Sequence, residues 1–172
     1  LDKDVSKKDI EFAKQQLTQV NKRVANIKKD VYFGDDGKFP HDITTEEIEE
    51  NNLILNPPVI VSDCQIAVEL SAKILFKSFG IKPVERHDIE FSHDRVSGLL
   101  GRLPEDEDFS DSVPRVLFLT QFWERFYQLS KYGIPEENMP SIKLINESDA
   151  IRAVQDADFC RDVSIKATDY IL

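Results

Sequence analysis

The sequence feature that most constrains the fold is a long apolar run between a pair of prolines and a glycine. Residues 57–80 read PPVIVSDCQIAVELSAKILFKSFG, in which the prolines suit a helix start and the glycine suits a helix end. The apolar residues are spread over most of the circumference of this helix instead of forming one stripe. Such a helix has to be contacted on several sides, so residues 57–80 are predicted to be the central helix.

The rest of the chain contains amphipathic helices that could surround this centre. Residues 10–31 carry one apolar stripe, with Ser6 and Asp9 as the predicted cap and an end near Asp30. Further helices are predicted over about 88–102, from 115 after Pro114 to Gly133, and from Asn146 or Ser148 onward, where small residues line one side. No segment alternates like a strand. The predicted fold is therefore all-α, an up-and-down bundle of about five helices.

The length of 172 residues fits one domain, 1–172, with residues 30–56 as an insertion after the first helix. The insertion is predicted to be a loop with one short helix, capped by Thr44 with Glu47 three residues on. The acidic stretch PEDEDFSDS, residues 104–112, is predicted to be a solvated loop. Its alternating acids lack the glycine and the glutamate of a calcium-binding loop.

Charge and composition narrow the function classes. Lys and Arg total 22 against 32 Asp and Glu, a formal net charge of -10, which opposes a general nucleic-acid binder but leaves a local basic groove possible. The absence of a membrane-length apolar run and the polar start predict a cytoplasmic protein without a membrane partner. Cys64 and Cys160 are predicted to be buried free thiols, and the sequence indicates no cofactor.

Two of the three histidines lie in PVERHDIEFSHD, residues 83–94. His87 and His93 are six residues apart, which places them on different sides of a continuous helix, and no suitable third ligand is near, so no metal site is predicted. His93 also falls on an apolar stripe with Ile89, Val96 and Leu100, which predicts a packed core histidine. In that interpretation Asp88 is the cap of the helix.

Two stretches of the chain, residues 67–89 (AVELSAKILFKSFGIKPVERHDI) and residues 129–135 (LSKYGIP), together resemble the HEPN (higher eukaryotes and prokaryotes nucleotide-binding) domain family. Residues 67–89, AVELSAKILFKSFGIKPVERHDI, look like the family's Ala-x-Glu and Lys helix, followed by a glycine, a proline and a His-Asp pair. Residues 129–135, LSKYGIP, precede an acid-rich cap and an Ala-spaced last helix, as in the family. The first helix matches too, so the resemblance covers nearly the whole chain apart from residues 30–56.

The resemblance implies a homodimeric bundle that binds a nucleotide, RNA or a small nucleotidyltransferase partner, often in a toxin–antitoxin or antiviral pair. It points to His87 and Asp88 as ligand contacts. Some branches are metal-independent endoribonucleases with an arginine, four to six intervening residues and a histidine, a spacing that Arg86 and His93 satisfy. In those branches the motif falls later in the domain. We therefore favour the structural interpretation of His93 and a binding function, with the ribonuclease as the alternative.

Four other residues are candidate ligand contacts. Glu69 and Lys73 could contact a ligand phosphate and its counter-charge, although an ion pair within the helix explains them without a ligand and is the favoured interpretation. Arg125 and Tyr132 could stack on a base or reach a phosphate, although the rim of an interface is the simpler interpretation. The many aromatic residues from Phe118 to Tyr127 favour a second surface, such as a symmetric dimer, to cover them.

Overall fold

The computed structural model describes residues 5–31, 56–82 and 91–171, together with residues 44, 46, 47, 50 and 54. Six α-helices have both ends within these ranges: α1 (Lys7–Val31), α2 (Pro57–Ser78), α3 (His93–Leu100), α4 (Glu107–Tyr132), α5 (Ser141–Leu144) and α6 (Glu147–Asp169). The described residues contain no β-strand, only one isolated bridge between Ile134 and Met139. The predicted all-α class is confirmed.

Helix α2 is the buried centre of the bundle, as its sequence predicts. Sixteen of its 22 residues are buried, and it packs against α1, α4 and α6. Its start carries both prolines, and after its end Gly80 has a positive φ of 69°, a conformation that glycine adopts without strain. The apolar residues of α2, spread over several of its sides, are therefore covered by three other helices.

The caps and the small-residue stripe of the outer helices also agree with their sequences. At the start of α1, the Asp9 amide donates to Ser6 Oγ and the Ser6 amide donates to the Asp9 carboxylate, both at 3.2 Å. Asn146 and Asp149 form the same reciprocal pair at the start of α6. The predicted small-residue stripe of α6 is buried throughout: Ala150, Ala153, Val154, Ala157, Cys160, Ser164 and Ala167. Thr44 and Glu47 cap each other within the insertion, at 2.9 and 3.3 Å.

Helix α4 begins earlier than its sequence predicts. The acidic stretch was predicted to be a loop ended by Pro114, but α4 starts at Glu107 and contains Pro114 in its third turn. Asp106 caps the helix by accepting a hydrogen bond from the Phe109 amide at 3.1 Å. Phe109 and Val113 are fully buried, so the packing of this extra length outweighs the hydrogen bond that Pro114 cannot donate.

The prediction for α3 is wrong in its start and in its buried face. The helix begins at His93 with Ser92 at the N-cap position, so Asp88, which lies outside the described residues, is not its cap. The side chain of His93 is 93% exposed, so His93 is not a core residue. Leu99 is fully buried and Val96 packs against the core, whereas Leu100 is 42% exposed, so the buried face of α3 contains Val96 and Leu99 and excludes His93 and Leu100.

Candidate functional site

A polar groove lies between α2 and α4 and has a volume of about 660 Å³. Two of the candidate ligand contacts, Glu69 on α2 and Arg125 on α4, line it. The other lining residues are Gln65, Gln121, Glu124, Tyr127 and Gln128. The volume falls in the range of small-ligand sites, although the lining side chains are amides, charged groups and one tyrosine instead of the usual apolar residues. Among the candidates, Glu69 and Arg125 are thus brought to one place.

Glu69, which lines this groove, forms the predicted ion pair with Lys73. Lys73 Nζ lies 2.6 Å from Glu69 Oε1, and the two side chains are only 14% and 5% exposed. Gln65 donates from Nε2 to the other Glu69 oxygen at 3.3 Å. Because a carboxylate only accepts, this contact fixes the orientation of the Gln65 amide, and its Oε1 is buried without a hydrogen-bond partner. Glu69 and Lys73 therefore form the ion pair that their spacing by one helical turn predicts.

Tyr132 lies apart from the groove, at the end of α4. Tyr132 is one of the exposed large hydrophobic residues, with 63% of its surface accessible to solvent. Arg125 is exposed as well, but it lies at the edge of the groove. Their positions suit the rim of an interface as well as a ligand contact.

The candidate catalytic residues are only partly described. Arg86, His87 and Asp88 lie outside the described residues. His93 opens α3, and its Nδ1 is 3.8 Å from the carboxylate of Asp94, whose side chain is fully exposed as well. An imidazole in this position is open to solvent and to any substrate that approaches the start of α3.

An exposed seam on α4 was only partly recognised in the sequence. The residues share alternating steps of four and three along the helix and are exposed or half-buried: Asp111, Arg115, Phe118, Phe122, Arg125, Leu129 and Tyr132. Phe118 and Phe122 are 54% and 40% exposed and stack with their centroids 6.1 Å apart. The four-three spacing of the seam would have identified it, since this spacing is typical of helices that pair with another helix.

The described residues offer little to a metal or a reactive thiol. No three His, Cys, Asp or Glu within them are grouped so that they could hold a metal ion. Cys64 and Cys160 are buried and unpaired, as predicted, and burial raises the pKa of both thiols. None of the described helices has the length and apolarity needed to cross a membrane.

The groove, the seam and the exposed His93 are thus the candidate sites of the described bundle. Comparisons with protein-family models, with curated proteins and with solved structures find no match to this chain.

Proposed function

We propose that this protein is a HEPN-like helical bundle that acts by binding: it forms a homodimer and binds a nucleotide or a small nucleotidyltransferase partner, in a toxin–antitoxin or antiviral system. The all-α bundle with one buried central helix supports the resemblance. The observation that carries the proposal is the exposed aromatic seam of α4, because large apolar side chains in such a row are typical of interaction surfaces.

The length of the seam fits an interface between two copies of the chain. From Asp111 to Tyr132 it extends about 30 Å at a helical rise of about 1.5 Å per residue. A stable interface buries about 800 Å² on each partner. Phe118, Phe122 and Tyr132 provide the kind of aromatic side chains that such interfaces favour.

The charges of the seam favour an antiparallel, two-fold arrangement. Asp111 and Arg125 each lie seven residues from Phe118, on the same side of α4. If two α4 helices cross antiparallel at Phe118, Asp111 of each protomer lies opposite Arg125 of the other. The dimer then contains two ion pairs around a central pair of phenylalanines, as a two-fold interface requires.

Charge reversal tests this arrangement. Asp111→Arg or Arg125→Asp alone places like charges opposite each other, so each variant is expected to weaken the dimer measured by light scattering. The double variant restores opposite charges and is expected to recover the dimer. Glu137→Arg, an exposed residue outside α4, is the control for net charge. A wild-type monomer at tens of micromolar, roughly the range where a weak dimer appears, would contradict the proposal.

The alternative function is a metal-independent endoribonuclease that uses Arg86 and His93 across the dimer. The exposure of His93 favours it, because a histidine that transfers a proton must reach its substrate. Single-stranded RNA is incubated with the protein and a chelator, and wild type is compared with His93→Ala and Arg86→Ala. The binding function predicts no cleavage, whereas cleavage that either substitution abolishes would establish the nuclease instead.

A further inference from the structure

A buried carboxylate of α6 contacts two exposed arginines, Arg115 on the α6 side of the seam and Arg152 on α6 itself. Asp156 is only 6% exposed, and its Oδ2 accepts hydrogen bonds from Trp123 Nε1 at 3.0 Å and from Arg152 Nε at 3.4 Å. Its Oδ1 lies 3.7 Å from a terminal nitrogen of Arg115. Side chains of α4 and α6 thus meet around one carboxylate.

The cluster has more positive charge than its structural role requires. Two arginines contact one carboxylate, so these three groups together carry a net charge of +1 in a protein with a formal net charge of -10. Both arginine contacts are longer than the roughly 2.7–2.9 Å of strong charge-assisted hydrogen bonds. The side chains of Arg115 and Arg152 remain 43% and 58% exposed. Asp149, the carboxylate one turn before Arg152, is taken up by the cap of α6.

Contacts within the protein restrict the positions of the two guanidinium groups. The Arg115 guanidinium lies 5.1 Å from the centroid of the Phe118 ring, which supports it through a cation–π contact. Arg152 is tied to Asp156, which the buried indole of Trp123 orients in turn. Side chains that are already ordered lose less conformational entropy when they bind.

We propose that Arg115 and Arg152 form an anion site that binds the phosphate group of a nucleotide. A guanidinium group can donate two parallel hydrogen bonds to two oxygens of one phosphate. A terminal phosphate carries nearly two negative charges, which two arginines can neutralise together. This inference rests on the nucleotide-binding part of the proposed function and gives that part a location. It places the phosphate at the α4–α6 contact and not in the groove between α2 and α4.

Trp123 supplies a reporter for this site, because it is the only tryptophan of the chain and donates to the same carboxylate. Its fluorescence is followed during titration with AMP, inorganic phosphate, adenosine and acetate, and equilibrium dialysis measures the binding of labelled AMP directly. AMP and phosphate are expected to bind saturably and more weakly at higher salt. Adenosine, which lacks the phosphate, is expected not to bind. Acetate binding as tightly as phosphate would overturn the assignment to phosphate.

Two variants locate the site. Arg115→Gln and Arg152→Gln each remove one of the two guanidinium groups and are expected to weaken AMP binding about tenfold or more, equivalent to about 1.4 kcal/mol. Lys143→Gln makes the same change of charge at an exposed residue of α5 and is expected to leave binding unchanged. Dialysis that detects no AMP, or equal affinities of all three variants, would overturn the inference.

The oligomeric state separates this inference from the proposed function. A light-scattering dimer that does not bind AMP or phosphate would remove the phosphate site and leave the dimer in place. A monomer whose AMP binding depends on Arg115 and Arg152 would remove the dimer and leave the phosphate site.

Discussion

At the scale of single residues, the Glu69–Lys73 pair gives a clear energetic prediction. Both side chains are largely buried, so removing one partner leaves a charge that water does not solvate. We expect Lys73→Met to lower the free energy of unfolding, measured in urea, by about 3 kcal/mol. Glu69→Gln combined with Lys73→Met removes both charges and is expected to recover most of that loss.

The chain contains a matched control for this pair. Arg23 and Asp63 are 2.7 Å apart, but their side chains are 36% and 42% exposed. Because water solvates exposed charges and screens their attraction, Arg23→Met is expected to cost less than about 1 kcal/mol. Equal losses for Lys73→Met and Arg23→Met would contradict the assignment of Glu69 and Lys73 to a buried structural pair.

Asp9 predicts a dependence of stability on pH. A hydrogen bond from Lys77, and then one from Ser6, lowers the pKa of the Asp9 carboxyl below its usual 3.8. A lowered pKa in the folded state means that Asp9 stabilises the fold fully above pH 3.8 and loses this contribution as the pH falls through the folded pKa. Asp9→Asn is therefore expected to be less stable than wild type at pH 7, with the difference disappearing in stronger acid. A stability difference between wild type and Asp9→Asn that persists below the pKa values of Asp9 in both the folded and the unfolded state would contradict this account.

The sequence predicts paired residues better than it predicts which face of a short helix is buried. The spacing of Glu69 and Lys73 by one turn was sufficient to predict their ion pair, because residues four apart are neighbours on a helix surface whichever side of the helix is buried. His93 was assigned to the core because an apolar stripe can be drawn through Leu100. An equally good stripe passes through Leu99, and two turns of helix are too short to distinguish the two. Tertiary packing buries Leu99 and leaves His93 in solvent.

At the scale of secondary-structure elements, Pro114 offers a test of why α4 has its observed length. Proline inside a helix removes one backbone hydrogen bond and strains the preceding turn. Pro114 is exposed, so its side chain contributes little packing. Pro114→Ala is therefore expected to raise the free energy of unfolding by about 1–2 kcal/mol, since the helical gain of up to about 3 kcal/mol is offset by a more flexible unfolded chain. Unchanged or reduced stability in urea would contradict this account.

The elements were predictable where local signals and packing agree. The prolines and glycine of α2, and the cap and small residues of α6, all favour the helices that form. At α4 the signals conflict, because proline suits the first helical turn and the acidic residues before it suggest a loop. The burial of Phe109 and Val113 decides the outcome, and burial depends on the other helices. The start of α4 therefore could not be read from its own sequence.

At the scale of the whole molecule, the central position of α2 followed from its sequence but the candidate sites did not. The groove requires Glu69 of α2 and Arg125 of α4 to line one space, and the anion cluster requires α4 and α6 to meet at Asp156. Both depend on how each helix is rotated about its own axis. An amphipathic pattern indicates the buried side of a helix, but not which residues of another helix lie next to its edges.

The two cysteines test whether the bundle unfolds as one unit. Cys64 lies in the central helix and Cys160 in α6, and both are fully buried. Burial raises the pKa of both thiols and keeps reagents from them, so their modification is expected to require opening of the fold. If the bundle opens cooperatively, a thiol reagent is expected to modify both cysteines at one slow rate, and urea should accelerate both equally. Mass spectrometry of the modified peptides measures each rate, with Cys64→Ala and Cys160→Ala as references for assigning them.

Faster modification of Cys160 would mean that α6 detaches while α2 stays packed against α1 and α4. In that case the contact of α6 with α4 at Asp156 would open without global unfolding.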